Sequence, residues 1–313
     1  MKREYSFKAP RASAFRESLH DTWVHWIFNW LRGVRQQLTR QSDGEAILKQ
    51  RYLSVHGRPF TVAKPETFTE KLYWRMLAWN RAVPPIFVQL ADKLSAREFV
   101  ANRIGKEYLP RLLWQGQDPV SIPFTNLPNE YVVKTNHASR QVLVVTEPAD
   151  HDAIIATCKK WIDTNFYWVS REGQYLHIQP KILIEECLRD HGGSLPLDYK
   201  IWCFNSVPEL IQVINFARDS HSFYDPYWKP LDLSYSKGKS SPDRSRPDQL
   251  EEMLSLATRL SDGFGFVRVD LYNLAGRIYF GELTFTPTAG HMKLIPDRWD
   301  LELGEKWDMS LES

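Results

Sequence analysis

The stretch FVRVDLYNLAGRIYFGELTFTP, residues 266–287, limits what this chain can fold into more than any other. Val267, Val269 and Leu271 alternate with Arg268, Asp270 and Tyr272, the period of a strand with two unlike faces. Ile278, Phe280, Glu282 and Thr284 share one face of a second strand. Gly276 stands where a three-residue loop, Leu274-Ala275-Gly276, needs a left-handed residue, so Asn273 is expected to pair with Arg277. In that register Asp270 falls opposite Phe280 and Arg268 opposite Glu282. The carboxylates of Asp270 and Glu282 are then diagonal neighbours on one face, ~7 Å or less apart. A two-residue loop would put them on opposite faces. Two carboxylates this close repel unless a cation separates them. Either they bind a hard cation such as magnesium, which takes one or two carboxylates plus substrate phosphates. Or they are solvated acids of a surface hairpin with an Arg268–Glu282 cross-strand pair.

Around this hairpin lie 313 residues, enough for two domains or one large body with lobes. With 43% hydrophobic and 25% charged residues the chain is composed as globular proteins are. A net charge of +2 gives no reason to expect nucleic acid as a partner. Cys158, Cys187 and Cys203 are far apart and form no CxxC pair, which speaks against a disulfide framework or a zinc site and fits a reducing, cytoplasmic setting. The start MKREYSFKAPRAS lacks the apolar core of a secretory signal, and no run approaches the ~18 apolar residues of a membrane span. Aromatic residues are abundant (Trp 12, Tyr 13, Phe 16), which suits either a sugar site or a core.

Trp23, Trp26, Ile27, Trp30, Leu31, Val34 and Leu38 follow helical spacing, with Arg32 and Arg35 largely off the stripe. Such a helix, within residues 20–38, lies on the inner face of a membrane or packs on protein, its own body or a second subunit. KPETFTEKLYWRMLAWN enters a helix through a capping box, Thr67 with Glu70. Further helices are expected in IFVQLADKLSAREFVANRIG, DHDAIIATCKKWIDTNF and DQLEEMLSLATRLSDGF. EYVVKTNHASRQVLVV reads as strand, polar turn and strand, PKILIEECL as a strand, and DYKIWCFNSVPELIQVINFARD as a hairpin turning at Asn205-Ser206. The order of helices and mainly antiparallel strands indicates an α+β body.

Taken in chain order, PETFTEKLYW, LADKLSAREFV, EYVVKTNHAS, PKILIEECL, DYKIWCFN, FVRVDLYN and YFGELTFTP resemble the ATP-grasp superfamily, and within it the TupA-like branch linked to teichuronopeptide and bacterial surface polysaccharides. The resemblance runs from about Lys49 to about Trp307. It implies an ATP-grasp fold in which two α+β lobes with antiparallel sheets sandwich ATP. The implied division is an N-terminal extension over 1–48, an N-terminal subdomain over 49–120, a small lobe and hinge over 121–188, and a large lobe with the metal hairpin over 189–313. It implies Lys93 and Lys134 on the ATP phosphates, with Asn136, His137, Ser139 and Arg140 in the loop beside them. Glu185 would accept from the adenine amino group, the backbone of Glu186 and Leu188 would read the ring edge, Asp198 would take the ribose, and Lys200 would face the phosphates. Asp270, Glu282 and Thr284 would hold two magnesium ions, and Arg268 would stabilise the oxyanion of the reacting centre. One departure concerns the loop, NHASRQ here where relatives have NHGSGG. Ala138, Arg140 and Gln141 replace glycines, so the loop should be stiffer, with Arg140 as a candidate charged contact.

The implied reaction is that of an ATP-dependent carboxylate–amine ligase, joining an amino acid or amine to a uronic acid of a surface polysaccharide or its precursor through an acyl phosphate. A phosphotransferase acting on a sugar hydroxyl would use the same nucleotide and metal residues. A glycosyltransferase rests only on Asp150-His151-Asp152, a DxD at a helix start where acids are expected anyway. A non-catalytic nucleotide or sugar binder rests only on the altered loop. On the acceptor side NFARDSHSFYDPYW supplies Arg218 for a carboxylate or phosphate and Tyr224 or Trp228 for a sugar, and His291 follows the hairpin closely enough to face the acceptor.

Overall fold

The computed structural model describes residues 44–312 apart from 191, 216–219, 236–238, 241–243 and 275. The expected Trp-rich helix and Arg218 lie outside the described residues. The chain divides into two units, Met1–Asp43 and Gly44–Ser313, and the second is described here. Its first helix, Gly44–His56, runs through the boundary expected at residue 48.

The strands, in chain order, are β1 (Leu112–Gly116), β2 (Glu130–Thr135), β3 (Val142–Thr146), β4 (Ile182–Glu186), β5 (Asp198–Phe204), β6 (Val207–Ile214), β7 (Ser220–Tyr224), β8 (Ser234–Tyr235), β9 (Lys239–Ser240), β10 (Phe266–Leu274), β11 (Arg277–Thr284) and β12 (Leu294–Ile295). A small sheet has the order β1-β4-β2-β3, a large one β11-β10-β5-β6-β7-β9, and β12 pairs with β8. Among the described residues every pairing is antiparallel except the short β7–β9 contact. The α+β reading therefore holds.

Each large-enough sheet hides one face and presents the other. On β2, Tyr131 and Val133 are buried against Ile154 and Cys158 of the helix His151–Ile162. That leaves Val132 and Lys134 on the opposite face, as period-2 alternation requires. On β5, Tyr199, Ile201 and Cys203 pack in one cluster with Leu250, Met253, Leu256 and Ala257 of the helix Leu250–Ser261, while Asp198 and Lys200 alternate with them. The presented faces of the two sheets border one cavity.

The helix Phe68–Arg81 has the expected capping box, with Thr67 accepting from the Glu70 amide and Glu70 accepting from the Thr67 amide. It fixes the hairpin through a buried arginine. Arg75 Nη1 donates to the carbonyls of Phe266 (3.0 Å) and Phe285 (2.8 Å), just where β10 begins and β11 has ended. Its guanidinium lies 4.2 Å from the Trp307 ring centre.

The hairpin differs from the expected one. Leu274 pairs with Arg277, so the connection is two residues long, not three. The register then shifts between Asp270 and Leu271: Leu271 pairs with Phe280, but Asp270 pairs with Glu282. Gly281 is the extra residue of a β-bulge. The bulge cancels the face reversal that a two-residue loop imposes. Asp270 and Glu282 return to one face, directly opposed instead of diagonal.

Replacing Arg75 by Ala strands two buried carbonyls, each worth about 1–3 kcal/mol when left unpaired. Arg75→Ala is therefore expected to lower unfolding free energy by roughly 2–6 kcal/mol, read from the urea midpoint at unchanged slope.

Candidate functional site

The cavity has a volume of about 380 Å³. From the small sheet and its loop it is lined by Val132, Lys134, Val144, Glu185 and residues 138–142, and from the large sheet by Asp198, Asp270, Tyr272 and Glu282. Lys93, Glu186, Leu188, Leu195 and Pro196 complete the wall. One part is apolar and the other carries opposed charges.

The large sheet supplies a row of charge. Lys200, Asp270 and Glu282 face one another across β5, β10 and β11. Arg268 donates to both Asp270 oxygens, Nε to Oδ1 at 2.6 Å and Nη2 to Oδ2 at 2.7 Å. Its Nη2 also reaches Thr284 Oγ1 (2.9 Å) and Glu282 Oε1 (3.3 Å). Lys200 Nζ bonds Asp270 Oδ2 and lies 2.7 Å from Asp198 Oδ2. The cation between the hairpin acids is thus Arg268 itself, seated two residues along from Asp270 and not opposite Glu282. Asp270 is 1% exposed, and burial pushes its carboxyl up against the pull of Arg268 and Lys200. Glu282 is a third exposed. Burial would raise its carboxyl, but Lys93, Lys200 and Arg268 outweigh that and hold it at about 2. Lys93 Nζ is 3.9 Å from Glu282, and burial draws its ammonium down.

The small sheet supplies a second group. Lys134 Nζ lies 2.6 Å from Glu185 Oε2, and Arg97 Nη1 donates to Glu185 Oε1 at 2.9 Å. Arg97 also donates to the Pro110 carbonyl (2.7 Å). Glu185 is therefore held between two cations. The sequence reading missed Arg97, although it follows Lys93 by four residues in LADKLSAREFV, a spacing that can place two cations on one side of a helical turn.

The loop after β2 corrects two expectations. Asn136 and His137 do not line the cavity. Asn136 donates to the Gln179 carbonyl (2.9 Å) and accepts from the Lys181 amide (2.7 Å). His137 contacts the Thr164 carbonyl through Nε2 (3.0 Å) and Asn136 through Nδ1 (3.2 Å). Both are buried, and their polar atoms are spent on holding the loop. Lys93 Nζ donates to the Ala138 carbonyl at 2.7 Å, which anchors the loop from the other side. Only its tip, Ser139 and Arg140, is exposed towards the cavity, and Arg140 adopts φ +64, a conformation glycine takes without strain.

The acceptor-side expectations also change. Tyr224 is buried in the core, stacked on Trp228 at 4.2 Å, and its hydroxyl accepts from the Arg244 amide. Trp228 Nε1 donates to the Arg244 carbonyl. Both faces of that pair serve packing, and neither residue lines the cavity. His291 is exposed after the turn Pro287–Gly290 and does not line it either. Lys200, Arg268 and Thr284 stand behind the cavity wall, in contact with the acids that form it.

Among the described residues no three His, Cys, Asp or Glu side chains are grouped to hold a metal. The pair Asp270 and Glu282 nevertheless fits magnesium. Asp270 Oδ1 receives one donor and Glu282 Oε2 only the distant Lys93, so each carboxylate keeps acceptor capacity. An ion that takes its remaining ligands from phosphates and water needs no more. Thr284 fits less well, because its hydroxyl already accepts from Arg268 and donates to Glu282 (3.1 Å). Asp198 Oδ1 is buried with no hydrogen-bond partner among the described residues.

Comparison with known families gives a match to the family described as TupA-like ATPgrasp over residues 70–308. A comparison with curated proteins gave no match. Similar solved structures include D-alanine–D-alanine ligase from Bacillus anthracis, at 15% identity and TM-score 0.42, covering 72% of this chain and 69% of that one. Others are D-alanine–D-alanine ligase from Helicobacter pylori (16%, 0.42, 70% and 61%) and the ATP-grasp ligase PsnB complexed with precursor peptide PsnA2 and AMPPNP (11%, 0.40, 78% and 66%). Of the Bacillus anthracis ligase complexed with ATP this chain spans 54%.

A carboxyl held at about 2, below its ordinary 4.5, stabilises the fold above pH ~4.5, and that contribution is lost as pH falls towards 2. Glu282→Gln is therefore expected to flatten this part of the acid limb. Urea midpoints of both proteins from pH 6 to pH 2 should converge as pH falls, and a constant gap would contradict the assignment.

Proposed function

The chain belongs to the TupA-like ATP-grasp family, and from that premise we propose that it is an ATP-dependent carboxylate–amine ligase. The observation that carries the proposal is the cavity between two sheets, with Lys93 and Lys134 on one side and Asp198, Asp270 and Glu282 on the other. In this reading the base lies in the apolar part, against Val132, Val144 and Leu188, with the backbone of Glu186 and Leu188 along its edge. The ribose donates to Asp198. The phosphates draw Lys93 from the Ala138 carbonyl and Lys134 from Glu185, exchanging a neutral acceptor and a shared carboxylate for a polyanion. Arg140, left-handed at the loop tip, adds a further cation. Asp270 and Glu282 would hold magnesium, which when bound neutralises charge on the β- and γ-phosphates.

The proposed reaction has two steps. The γ-phosphoryl group passes to a substrate carboxylate and ADP leaves. An amine attacks the acyl carbon, the C–N bond forms, phosphate leaves with the electrons of the C–O bond, and the nitrogen gives up one proton to the departing phosphate or to water. The reading assigns the oxyanion of that step to Arg268, which stands behind Asp270 and whose Nη2 reaches Glu282 at the cavity edge. The resemblance to a family linked to surface polysaccharides supports a uronic acid as the carboxylate and an amino acid or amine as the nucleophile. A phosphotransferase would instead leave its product phosphorylated on a hydroxyl.

The test is calorimetric titration of Mg·ATP into the wild type, Lys134→Ala and Asp270→Asn. Binding is expected in the wild type and at least ~10-fold weaker in each variant, since a charge-assisted contact contributes roughly 1.5–3 kcal/mol. No binding to the folded wild type overturns the reading. Hydroxylamine, which traps an acyl phosphate as a hydroxamate, then separates ligase from phosphotransferase. We also propose that residues 20–38 contact either a membrane surface or protein, such as a second subunit. No helix among the described residues is long and apolar enough to cross a membrane. In the membrane case, flotation with anionic liposomes should be lost on deleting residues 1–43, and retention by the truncated chain would refute that contact.

A further inference from the structure

Three charged side chains on the small-sheet side of the cavity form an unequal group. Glu185, on β4, is 5% exposed, and a cation sits on each of its oxygens. Arg97 Nη1 donates to Oε1 at 2.9 Å, and Lys134 Nζ lies 2.6 Å from Oε2.

The two cations are held differently. Arg97 belongs to the helix Ala96–Arg103, and its Nη2 donates to the carbonyl of Pro110, two residues before β1. β1 neighbours β4, with Leu112 opposite Glu185, so both tips of the guanidinium fork are fixed to one edge of the small sheet. Arg97 stands behind the carboxylate, since Glu185 lines the cavity and Arg97 does not. Lys134 comes from the other side. On β2 it is Val132 that lies opposite Glu185, and Lys134 pairs with Leu183. Lys134 is therefore a diagonal neighbour of Glu185 on the cavity face, and it lines the cavity itself. Its ammonium is a point charge on a flexible stem, free to turn where a planar fork with two fixed bonds is not.

A polyanion in the cavity would draw Lys134 away. Lys93 lines the same cavity, and its ammonium is drawn down first by burial and also by Lys134, against the pull of Glu282. Two cations that oppose each other this way are both relieved by an anion between them. A phosphate chain there offers Lys134 a multiply charged partner. Glu185 Oε2 then faces the cavity with Arg97 still on Oε1.

We propose that Glu185 reads the base only after the phosphates have removed Lys134, and that Arg97 is the positioning residue that holds Glu185 for this exchange. The inference deepens the nucleotide reading and rests on it. As long as Lys134 stays, the carboxylate is shared by two cations, and a neutral amino group gains little from it. With Lys134 on the phosphates, Oε2 accepts one N–H of the adenine amino group. The base and phosphate halves of the site are thereby coupled, and the coupling is reciprocal. A nucleoside without phosphates is refused by the same carboxylate that accepts the base of the triphosphate. Guanine places a carbonyl oxygen where adenine places its amino group, and a carboxylate repels it.

The test is binding of adenosine, Mg·ATP and Mg·GTP to the wild type, Lys134→Met and Arg97→Gln, with adenosine titrated by saturation-transfer NMR and the triphosphates by calorimetry. Lys134→Met leaves Glu185 to Arg97 alone. It should bind adenosine at least ~10-fold more tightly than the wild type and Mg·ATP at least ~10-fold more weakly. A general loosening of the fold does not move nucleoside and nucleotide in opposite directions. Lys134→Met should also keep the preference for ATP over GTP. Arg97→Gln should reduce that preference at least ~10-fold, because Glu185 is then held by Lys134 alone. If the wild type binds Mg·ATP but Lys134→Met gains no affinity for adenosine, the exchange is refuted and the nucleotide reading stands. If Arg97→Gln keeps the preference, Arg97 does not position Glu185. A wild type that binds both triphosphates equally overturns Glu185 as the reader. If Arg97→Gln does not fold, Lys134→Met against adenosine decides alone. If the wild type binds neither ATP nor adenosine, the nucleotide reading falls and the exchange falls with it.

Discussion

A carboxylate buried on the second strand of a six-stranded sheet is tolerable only if cations reach both of its oxygens. Asp270 meets that condition through Arg268 and Lys200, and the rest of the site follows from it. Once these two cations are committed, Asp198 balances Lys200, and Glu282 balances Arg268 and faces Lys93. The result is a network of alternating charge, with Lys200, Asp270 and Glu282 in a row across β5, β10 and β11, Asp198 and Arg268 one step along their own strands, and Lys93 beyond the edge. Removing one member of such a buried network leaves its neighbours uncompensated, a penalty of several kcal/mol. The network opens at the Lys93 end, where Glu282 is a third exposed.

The small sheet achieves a different kind of order. Its loop, residues 136–141, has no glycine and so little backbone freedom. Asn136 and His137 instead bolt the loop to residues 164, 179 and 181, and Lys93 clasps Ala138. Stiffness in the anchor leaves adaptability to two exposed residues, Ser139 and Arg140.

Much of this was legible in the sequence because the signals were periodic. The capping box at Thr67, the turn at Asn205-Ser206 and the alternation in β2, β5 and β10 all depend on near neighbours, and all appear as read. The cavity-lining lysines and acids lie on strands whose faces that alternation fixes. The failures have a common cause. Asn136, His137, Tyr224 and Trp228 are polar or aromatic residues whose role depends on which tertiary partner arrives first, and a carbonyl or a stacked ring arrived before any ligand. Arg97 was missed because its partner Glu185 is 88 residues away. The segment Ser170–Gln174 has no periodicity at all, and its burial is visible only once the helix Phe68–Arg81 and the turn after β11 close over it.

The hairpin departs from its reading twice, by a turn one residue shorter and a bulge one residue longer, and the two departures compensate like a frameshift and its suppressor. What fixes the side the acids face is the register beyond the bulge, in which Asp270 meets Glu282 and Val269 meets Leu283. Excising Gly281 alone would make Leu271–Phe280 and Asp270–Glu282 consecutive pairs of an unbroken ladder and leave both acids on one face. The carboxylate pair thus has two structural spellings, and relatives that use the other one would look misaligned by a residue across the very segment that carries the chemistry.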